Sequence, residues 1–315
     1  MNKITFVSPC FNEQENISQL TTRIHKVCNN LKIDYNLIIV DNGSTDNTLE
    51  EIKILKKKKY KVNCISLSRN FGYQNAIHAG LHSINQTDFV CVIDGDLQDP
   101  PELIEKMYEI ISNGYDVVYG IHHKRKDTGY KNFFYKLFYN LYYLLSEIEI
   151  PKNSGEFSLF NSKVLHHLLD FKESLIFLRG IRTWVGFKQT GIEYTRDKRK
   201  SGVAKFNFFG SFNLAIDGLL SFSIKPLRAI LFLSLILFIP SVLILTFILL
   251  IKLLNLFGFA FLESLLLPVG LTFTNTLILI MLCLNLIFFG LISEYIARIY
   301  KEVKSRPKYI INFKI

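Results

Sequence analysis

Residues 229–251 carry no charged side chain, and neither do residues 264–293, in a chain of 315. Uncharged runs of this length are rare in soluble domains. Written as a helix, the first would span about 34 Å, against roughly 30 Å of bilayer hydrocarbon. The sequence therefore predicts two transmembrane helices, at 228–252 and 265–293. The five cysteines show neither metal nor redox spacing, which fits a reducing cytosol. There is no internal repeat and no low-complexity linker. "MNKITFVSPCF" runs straight into strand-like sequence, so a secretory leader is not expected.

The loop between the two runs, "KLLNLFGFAFLE", is too short to be a domain, so both long ends are expected on one side of a membrane. The basic tail at 294–315 carries Arg298, Lys301, Lys304, Arg306, Lys308 and Lys314, and the stretch before Arg228 is also basic; the loop has only Lys252. By the positive-inside rule both ends are cytoplasmic and the chain is a multi-pass protein of the inner (cytoplasmic) membrane. Lys and Arg outnumber Asp and Glu by 37 to 27, a formal charge of +10. Anionic headgroups account for that excess, so a lipid bilayer is expected as partner and nucleic acid is not.

The first 120 residues alternate strand and helix signals. "ITFVSP" reads as a strand; Ile17, Leu20, Ile24 and Val27 then recur at helical spacing behind Asn12, a candidate cap. "NLIIVDN" and "VNCISLS" read as strands around a helix capped by Thr45 or Asp46, whose lysine run suits a helix C-terminus. A short helix at "QNAIHAGL", a strand over 89–93, a helix opened by Pro101-Glu102 and the strand "DVVYG" follow. Alternating units of this kind imply a mostly parallel sheet, with ligands beyond the carboxyl ends of its strands. Tyr130, Phe133, Phe134, Leu137, Phe138, Leu141, Tyr142 and Leu145 form one apolar stripe, which fits a helix packed on the sheet or one lying on a bilayer. A second such candidate covers 206–227 and leads into the first span.

"SPCFNE", "DNGSTD", "SRNFG" and "DGDLQD" all fall at strand ends. Asp41 can accept hydrogen bonds from a base or ribose, and the turn from Asn42 to Ser44 and Thr45 offers backbone N–H groups. Arg69, beside Asn70, puts a cation within reach of phosphate, and Gly72 permits close backbone approach. Asp94 and Asp96, two apart in an extended segment, point to one side and can share a hydroxyl-rich ligand and a hard divalent cation. Asp99, before Pro100-Pro101, reads as a residue that starts the next helix. A lone D-x-D is weak; four compatible motifs in order describe a nucleotide-diphosphate site.

These stretches, together with "NSGEFSLFNSKV", "FLRGIRTWVGFKQTGIEYTRDKRKSGVAKF" and "AIDGLLSFSIKPLR", resemble the inverting family 2 glycosyltransferases of the polyprenyl-phosphate type, a group that includes dolichol-phosphate mannose synthases and undecaprenyl-phosphate glucosyltransferases. The resemblance spans nearly the whole chain. It implies an α/β GT-A (Rossmann-like) domain over 1–205, with a donor site for a nucleotide sugar using Pro9, Asn12, Glu13, Asp41, Asp94 and Asp96. It implies Mg²⁺ or Mn²⁺ on Asp96, with Asp94 beside it, a polyprenyl phosphate acceptor, and a homo-oligomer, a tetramer. Departures from the usual pattern are Asn42 for a second Asp, Glu156 for an Asp, Ser158 for an Arg, "SGVAKF" for "SGESKY", and His122 for an Arg. They cluster around the sugar and acceptor rather than the nucleotide, which leaves sugar identity open: glucose is the default, with galactose, N-acetylhexosamine, mannose and modified arabinose as alternatives.

The expected acceptor is a phosphate monoester, already largely dianionic at pH 7, so it attacks without a general base. Glu156 is then expected to orient sugar or acceptor, or to act as a base. Arg125, Arg196, Arg199, Ser201 and Lys205 are the candidates for the acceptor phosphate, the last four in "YTRDKRKSGVAKF"; headgroup binding is the other use for such a segment. Trp184, the single tryptophan, fits a wall of the sugar or acceptor cavity or simple core packing. A processive polysaccharide synthase would carry Q-x-x-R-W and more spans, and both are missing. A decayed membrane scaffold would explain the departures but not the joint presence of Asp41, Arg69, Asp94 and Asp96. Asn275 and Asn285 in the second span read as helix–helix hydrogen-bonding residues.

Overall fold

In the computed structural model, residues 2–58, 60–122, 147–148, 150–151, 153–173, 176–196, 223–257 and 271–315 are described. The stripe at 130–145, the juxtamembrane stretch 206–222, and Arg125, Arg199, Ser201 and Lys205 lie outside them. The chain divides into two units, Met1–Phe222 with Ser305–Ile315, and Ser223–Lys304.

The first unit is built on an eight-stranded sheet in the order β7-β5-β6-β4-β1-β2-β3-β8. β1 (Lys3–Cys10), β2 (Asp34–Asp41), β3 (Val62–Leu67) and β4 (Phe89–Val92) are mutually parallel, with β1 between β2 and β4. Their apolar runs are buried on both faces, as expected for strands covered by helices on each side. α1 (Ile17–Leu31) buries Ile17, Leu20, Ile24 and Val27, the residues its periodicity singles out. Each such side chain contributes about 1.5–3 kcal/mol on full burial. α2 (Thr48–Lys57), α3 (Tyr73–Leu81) and α4 (Leu103–Ser112) complete the alternation.

Beyond β4 the sheet departs from the expected parallel pattern. β5 (Val117–His122) does not sit next to β4; β6 (Ser154–Asn161) is inserted between them, antiparallel to both. α5 (Ser162–Leu169), α6 (Leu178–Trp184) and β7 (Gln189–Tyr194) follow, β7 running parallel to β5. α5 is capped by Asn161, whose side chain accepts from the Val164 N–H.

Three local expectations are corrected. Asn12 does not cap α1: it takes φ +55° and bonds to the β2–α2 loop instead. Asp99 does not start α4, which has no side-chain cap; it is 2% exposed and bonded elsewhere. Trp184 is not core: it is 62% exposed, with its ring edge-to-face on Phe171 at 5.4 Å. α6 buries Leu178, Ile181 and Arg182, and Trp184, two residues on, is turned about 200° away from Arg182.

The second unit holds α7 (Lys225–Leu256), with Pro240 inside it, and α8 (Leu271–Lys304). Phe232, Ile236, Phe238, Leu286, Ile287 and Phe289 are among its exposed apolar side chains. Among the described residues one stretch, Met281–Lys304, is long and apolar enough to cross a membrane. Asn285 donates to the Met281 carbonyl in its own helix at 3.0 Å, so this bond is not one between helices.

After α8 the chain returns to the sheet. β8 (Ile311–Lys314) pairs antiparallel with β3, so residues read as a basic tail supply an edge strand. Lys308 approaches α3 there: its Nζ donates to the Phe171 carbonyl at 3.2 Å and lies 3.5 Å from Nε2 of His78. His78, 8% exposed, also meets His82 (3.0 Å between Nε2 atoms) and the Tyr309 ring.

Burial, then the charges of Lys308 and His82, pushes His78 down to about 3, and burial followed by Lys308 lowers His82. A base depressed in the fold contributes its full stability above its unfolded pKa, near 6.5, and loses it as pH falls toward the folded value. At pH 5 His78 should cost about 2 kcal/mol. A fall in thermal midpoint between pH 7.5 and 5, shallower in His78→Gln, checks this; an unchanged slope in the variant contradicts it.

Candidate functional site

The loops after β1, β2 and β3 are interlaced. Asn12 donates its N–H to Ser44 Oγ at 3.0 Å, and its Oδ1 accepts from the Thr45 N–H at 2.8 Å. Glu13, 7% exposed, accepts from Asn16 Nδ2 through Oε2, and its own N–H donates to Thr48 Oγ1. Asp41, 3% exposed at the end of β2, accepts from the Ser44 N–H at 3.0 Å and from Ser66 Oγ at 3.1 Å. Each oxygen thus has a protein partner, and the remaining lone pairs are what a ligand would use.

Asn42 gives its departure from Asp a structural meaning. Its Nδ2 donates to Asn70 Oδ1 at 3.1 Å while its Oδ1 accepts from the Phe71 N–H at 2.9 Å. Asn70 Oδ1 also accepts from the Gly72 N–H, so its orientation is set. Gly43 takes φ +73°, and a Cβ there would lie 2.6 Å from the Arg69 carbonyl carbon; only glycine fits. Arg69 lies over the Phe71 ring at 4.1 Å, with Nη1 donating to the Asn70 carbonyl. Pro9 sits in β1 beyond Val7, where pairing with β4 ends, so its missing N–H costs no bond on that side.

The segment after β4 is a turn rather than the extended stretch expected for Asp94 and Asp96. Leu97 takes φ +60°, and Asp96, 7% exposed, accepts from the Gln98 N–H at 3.1 Å. A Cβ on Gly95 would lie 2.6 Å from Cys10 Sγ, which holds this turn against the end of β1. Asp94 accepts from the Tyr73 hydroxyl and pairs with Arg196 Nη2 at 3.2 Å. Asp99 accepts from the Tyr194 hydroxyl at 2.5 Å and from Arg196 Nε at 3.1 Å. Arg196, expected at the acceptor phosphate, therefore forks between two of the three carboxylates.

Burial, followed by the charges of Asp99 and Asp96, raises Asp94 to about 7. Burial and the neighbouring carboxylates push the Tyr73 and Tyr194 hydroxyls up as well, so both remain donors. Burial pushes the Cys10 thiol up, which rules it out as a ready nucleophile. His122 is lowered by burial and packs edge-to-face on Tyr194 at 5.1 Å.

On the far side, Glu156, 8% exposed on β6, accepts from Gln74 Nε2 at 2.9 Å and lies 3.5 Å from Arg179 Nε. Ser158, in the place of an Arg, is fully buried. The sequence reading missed Tyr73, Gln74, Arg179, Arg182 and Tyr194, and took Asp99 for the start of a helix. For Tyr73 and Gln74 the one available signal was their place in the first turn of a helix following a strand-end loop.

Among the described residues no group of three or more His, Cys, Asp or Glu is arranged to hold a metal ion. What the site does have is three carboxylates crowded after β4, two of which, Asp99 and Asp96, add to the burial that raises Asp94. That fits a cation shared between one or two carboxylates and a diphosphate, the usual setting of Mg²⁺, rather than an all-protein cage.

Residues 5–169 match the profile of Glycosyl transferase family 2. The chain belongs to that family. It is a glycosyltransferase. It is 35% identical, over 98% of its length and 95% of the other's, to the uncharacterized glycosyltransferase sll0501 of Synechocystis sp.. It is also 35% identical to the SfII prophage-derived bactoprenol glucosyl transferase of Shigella flexneri, over 98% of this chain and 97% of that one. Among solved structures it is similar to glucosyl-3-phosphoglycerate synthase from Mycobacterium tuberculosis in complex with Mn²⁺, UDP-glucose and phosphoglyceric acid. There the TM-score is 0.48 and identity 18%, over 70% of this chain and 79% of that one.

Restoring an aspartate at position 42 should harm this glycosyltransferase. Asn42→Asp removes the donor to Asn70 Oδ1 and leaves two acceptors facing each other. The expected loss is about 1–3 kcal/mol of stability. Chemical denaturation of the variant measures it, and an unchanged midpoint contradicts the assignment.

Proposed function

We propose that the protein transfers a hexose, glucose by preference, from a nucleotide-diphosphate sugar, UDP-glucose by preference, to undecaprenyl phosphate with inversion at the anomeric carbon. The product is a lipid-linked sugar for cell-envelope glycan modification, including that of lipopolysaccharide. The observation that carries this reading is the convergence of the interlaced loops after β1, β2 and β3 with the carboxylate turn after β4. The full-length similarity to bactoprenol glucosyl transferases supports the acceptor and the sugar.

In this reading Asp41 receives the base or ribose, with the Asn42–Ser44 turn and the loop of Arg69, Asn70 and Gly72 beside the nucleotide. Pro9, Asn12 and Glu13 line the same cradle. Asp96, with Asp94 beside it, would hold Mg²⁺ or Mn²⁺ together with the diphosphate. When bound, the cation supplies positive charge to the leaving group. Arg196 and the Tyr73 and Tyr194 hydroxyls hold Asp94 and Asp99 in place against their mutual repulsion. No residue need take a proton from the nucleophile, since a phosphate monoester has its second pKa near 6. The chain's task is to bring two anions together.

The acceptor arrives from a bilayer, and the two-span arrangement with both termini cytoplasmic belongs to this proposal. Arg125, Arg199, Ser201 and Lys205 are assigned to its phosphate, and a GT-A domain at the membrane surface, in a homo-oligomer, to its approach. Membranes holding the protein, given undecaprenyl phosphate, Mg²⁺ and a panel of nucleotide sugars, should yield a glucosylated lipid by mass analysis. No transfer from any donor by folded protein would overturn the reading. Lys205→Ala should abolish transfer while leaving UDP binding nearly intact; lost UDP binding would instead move Lys205 to the donor site.

A further inference from the structure

Glu156 has one oxygen that the described residues do not use. Its Oε1 accepts from Gln74 and neighbours Arg179, whereas Oε2 is buried without a hydrogen-bond partner. Leaving a buried acceptor unsatisfied is costly, and a donor brought by a ligand removes that cost.

The surroundings of this carboxylate are built rather than incidental. Gln74 Oε1 accepts from the Leu178 N–H at 3.1 Å, which fixes the amide so that only Nε2 can face Glu156. One side chain thereby joins α3, β6 and the start of α6. Tyr73, the preceding residue, holds Asp94, so the first turn of α3 grips a carboxylate on each side of the site. Beneath lies Arg182, 0% exposed, over the Tyr119 ring at 4.9 Å, its Nη2 3.5 Å from the Gly155 carbonyl oxygen. Among the described residues its Nε and Nη1 have no hydrogen-bond partner, and its charge lies in the field of Glu156.

We propose that Gln74 is a positioning residue that turns the free Oε2 of Glu156 toward a hydroxyl of the transferred sugar. The assignment rests on the hexose-transfer reading above and narrows it. An acceptor phosphate dianion and a donor diphosphate both present negative oxygens and no proton to give, so a carboxylate oxygen repels them. The hexose ring is the part of the substrates at this end that carries hydroxyl donors. Glu156 therefore orients the sugar, and the base role is not needed.

The test compares UDP-glucose with UDP, by calorimetry on the full chain in lipid nanodiscs. In the native chain UDP-glucose should bind more tightly than UDP. In Gln74→Met that advantage should fall about tenfold, while UDP affinity is kept. Gln74→Glu, close in shape, places two carboxylates together that must share a proton. Its UDP-glucose advantage should fall below the native one. Equal weakening of both ligands, or a Gln74→Glu variant that keeps the native ratio, overturns the assignment. A Gln74→Met that fails to fold loses UDP binding too, and Gln74→Glu then decides. The transfer assay separates the two readings. A native chain that prefers UDP-glucose yet transfers nothing overturns the function and not Gln74; native transfer with unaltered Gln74 variants overturns Gln74 alone.

Discussion

Mutual repulsion among the three carboxylates that leave β4 is the constraint on which the site depends. Asp94, Asp96 and Asp99 are crowded into six residues, and Asp99 is almost completely buried. Among their described side-chain partners one is a cation, Arg196, and two are tyrosine hydroxyls. Burial first, and then the charges of Asp99 and Asp96, raise Asp94, while Arg196 lowers it. The fork of Arg196 has a further result. It ties the end of β7 to the end of β4, so the basic segment that begins at Arg196 is anchored at the site by its first cation.

The same crowding suits the proposed chemistry. An attacking phosphate monoester is already charged, and the donor diphosphate is charged as well, so activation of a nucleophile is not the difficulty. The difficulty is charge, and crowded carboxylates are a setting in which a divalent cation brought with the diphosphate is welcome. Glu156 has Arg179 and Arg182 near it, and Tyr73 lies in the field of Glu156 as well as of Asp94 and Asp99.

Much of this was legible in the sequence where the determinants are local. The buried face of α1 follows from a repeat of three and four, and β1, β2 and β4 from short apolar runs closed by polar loops. Asp41, Asp94 and Asp96 stand out because each closes such a run. What was illegible depends on partners distant in the chain: Asp99 meets Tyr194 ninety-five residues on, and Gln74 meets Glu156 eighty-two residues on. No periodicity encodes such pairs. β6 escaped because its insertion between β4 and β5 is a matter of sheet order, which strand composition does not specify. The extended geometry expected for Asp94 and Asp96 failed at one residue, Leu97, whose left-handed backbone closes a turn that its side chain does nothing to announce.

β8 adds a constraint of timing. It pairs with β3, yet both long apolar helices are synthesised between the two strands. During synthesis domains fold from the N-terminus onward, so α1 to β7 can assemble while β3 still lacks its outer neighbour. For that interval β3 presents an open row of backbone N–H and C=O groups, the feature that invites mispairing with other chains. Closing the sheet therefore waits on the helices that follow it, and a lesion in α7 or α8 that delays their placement would be felt as aggregation of the sheet domain.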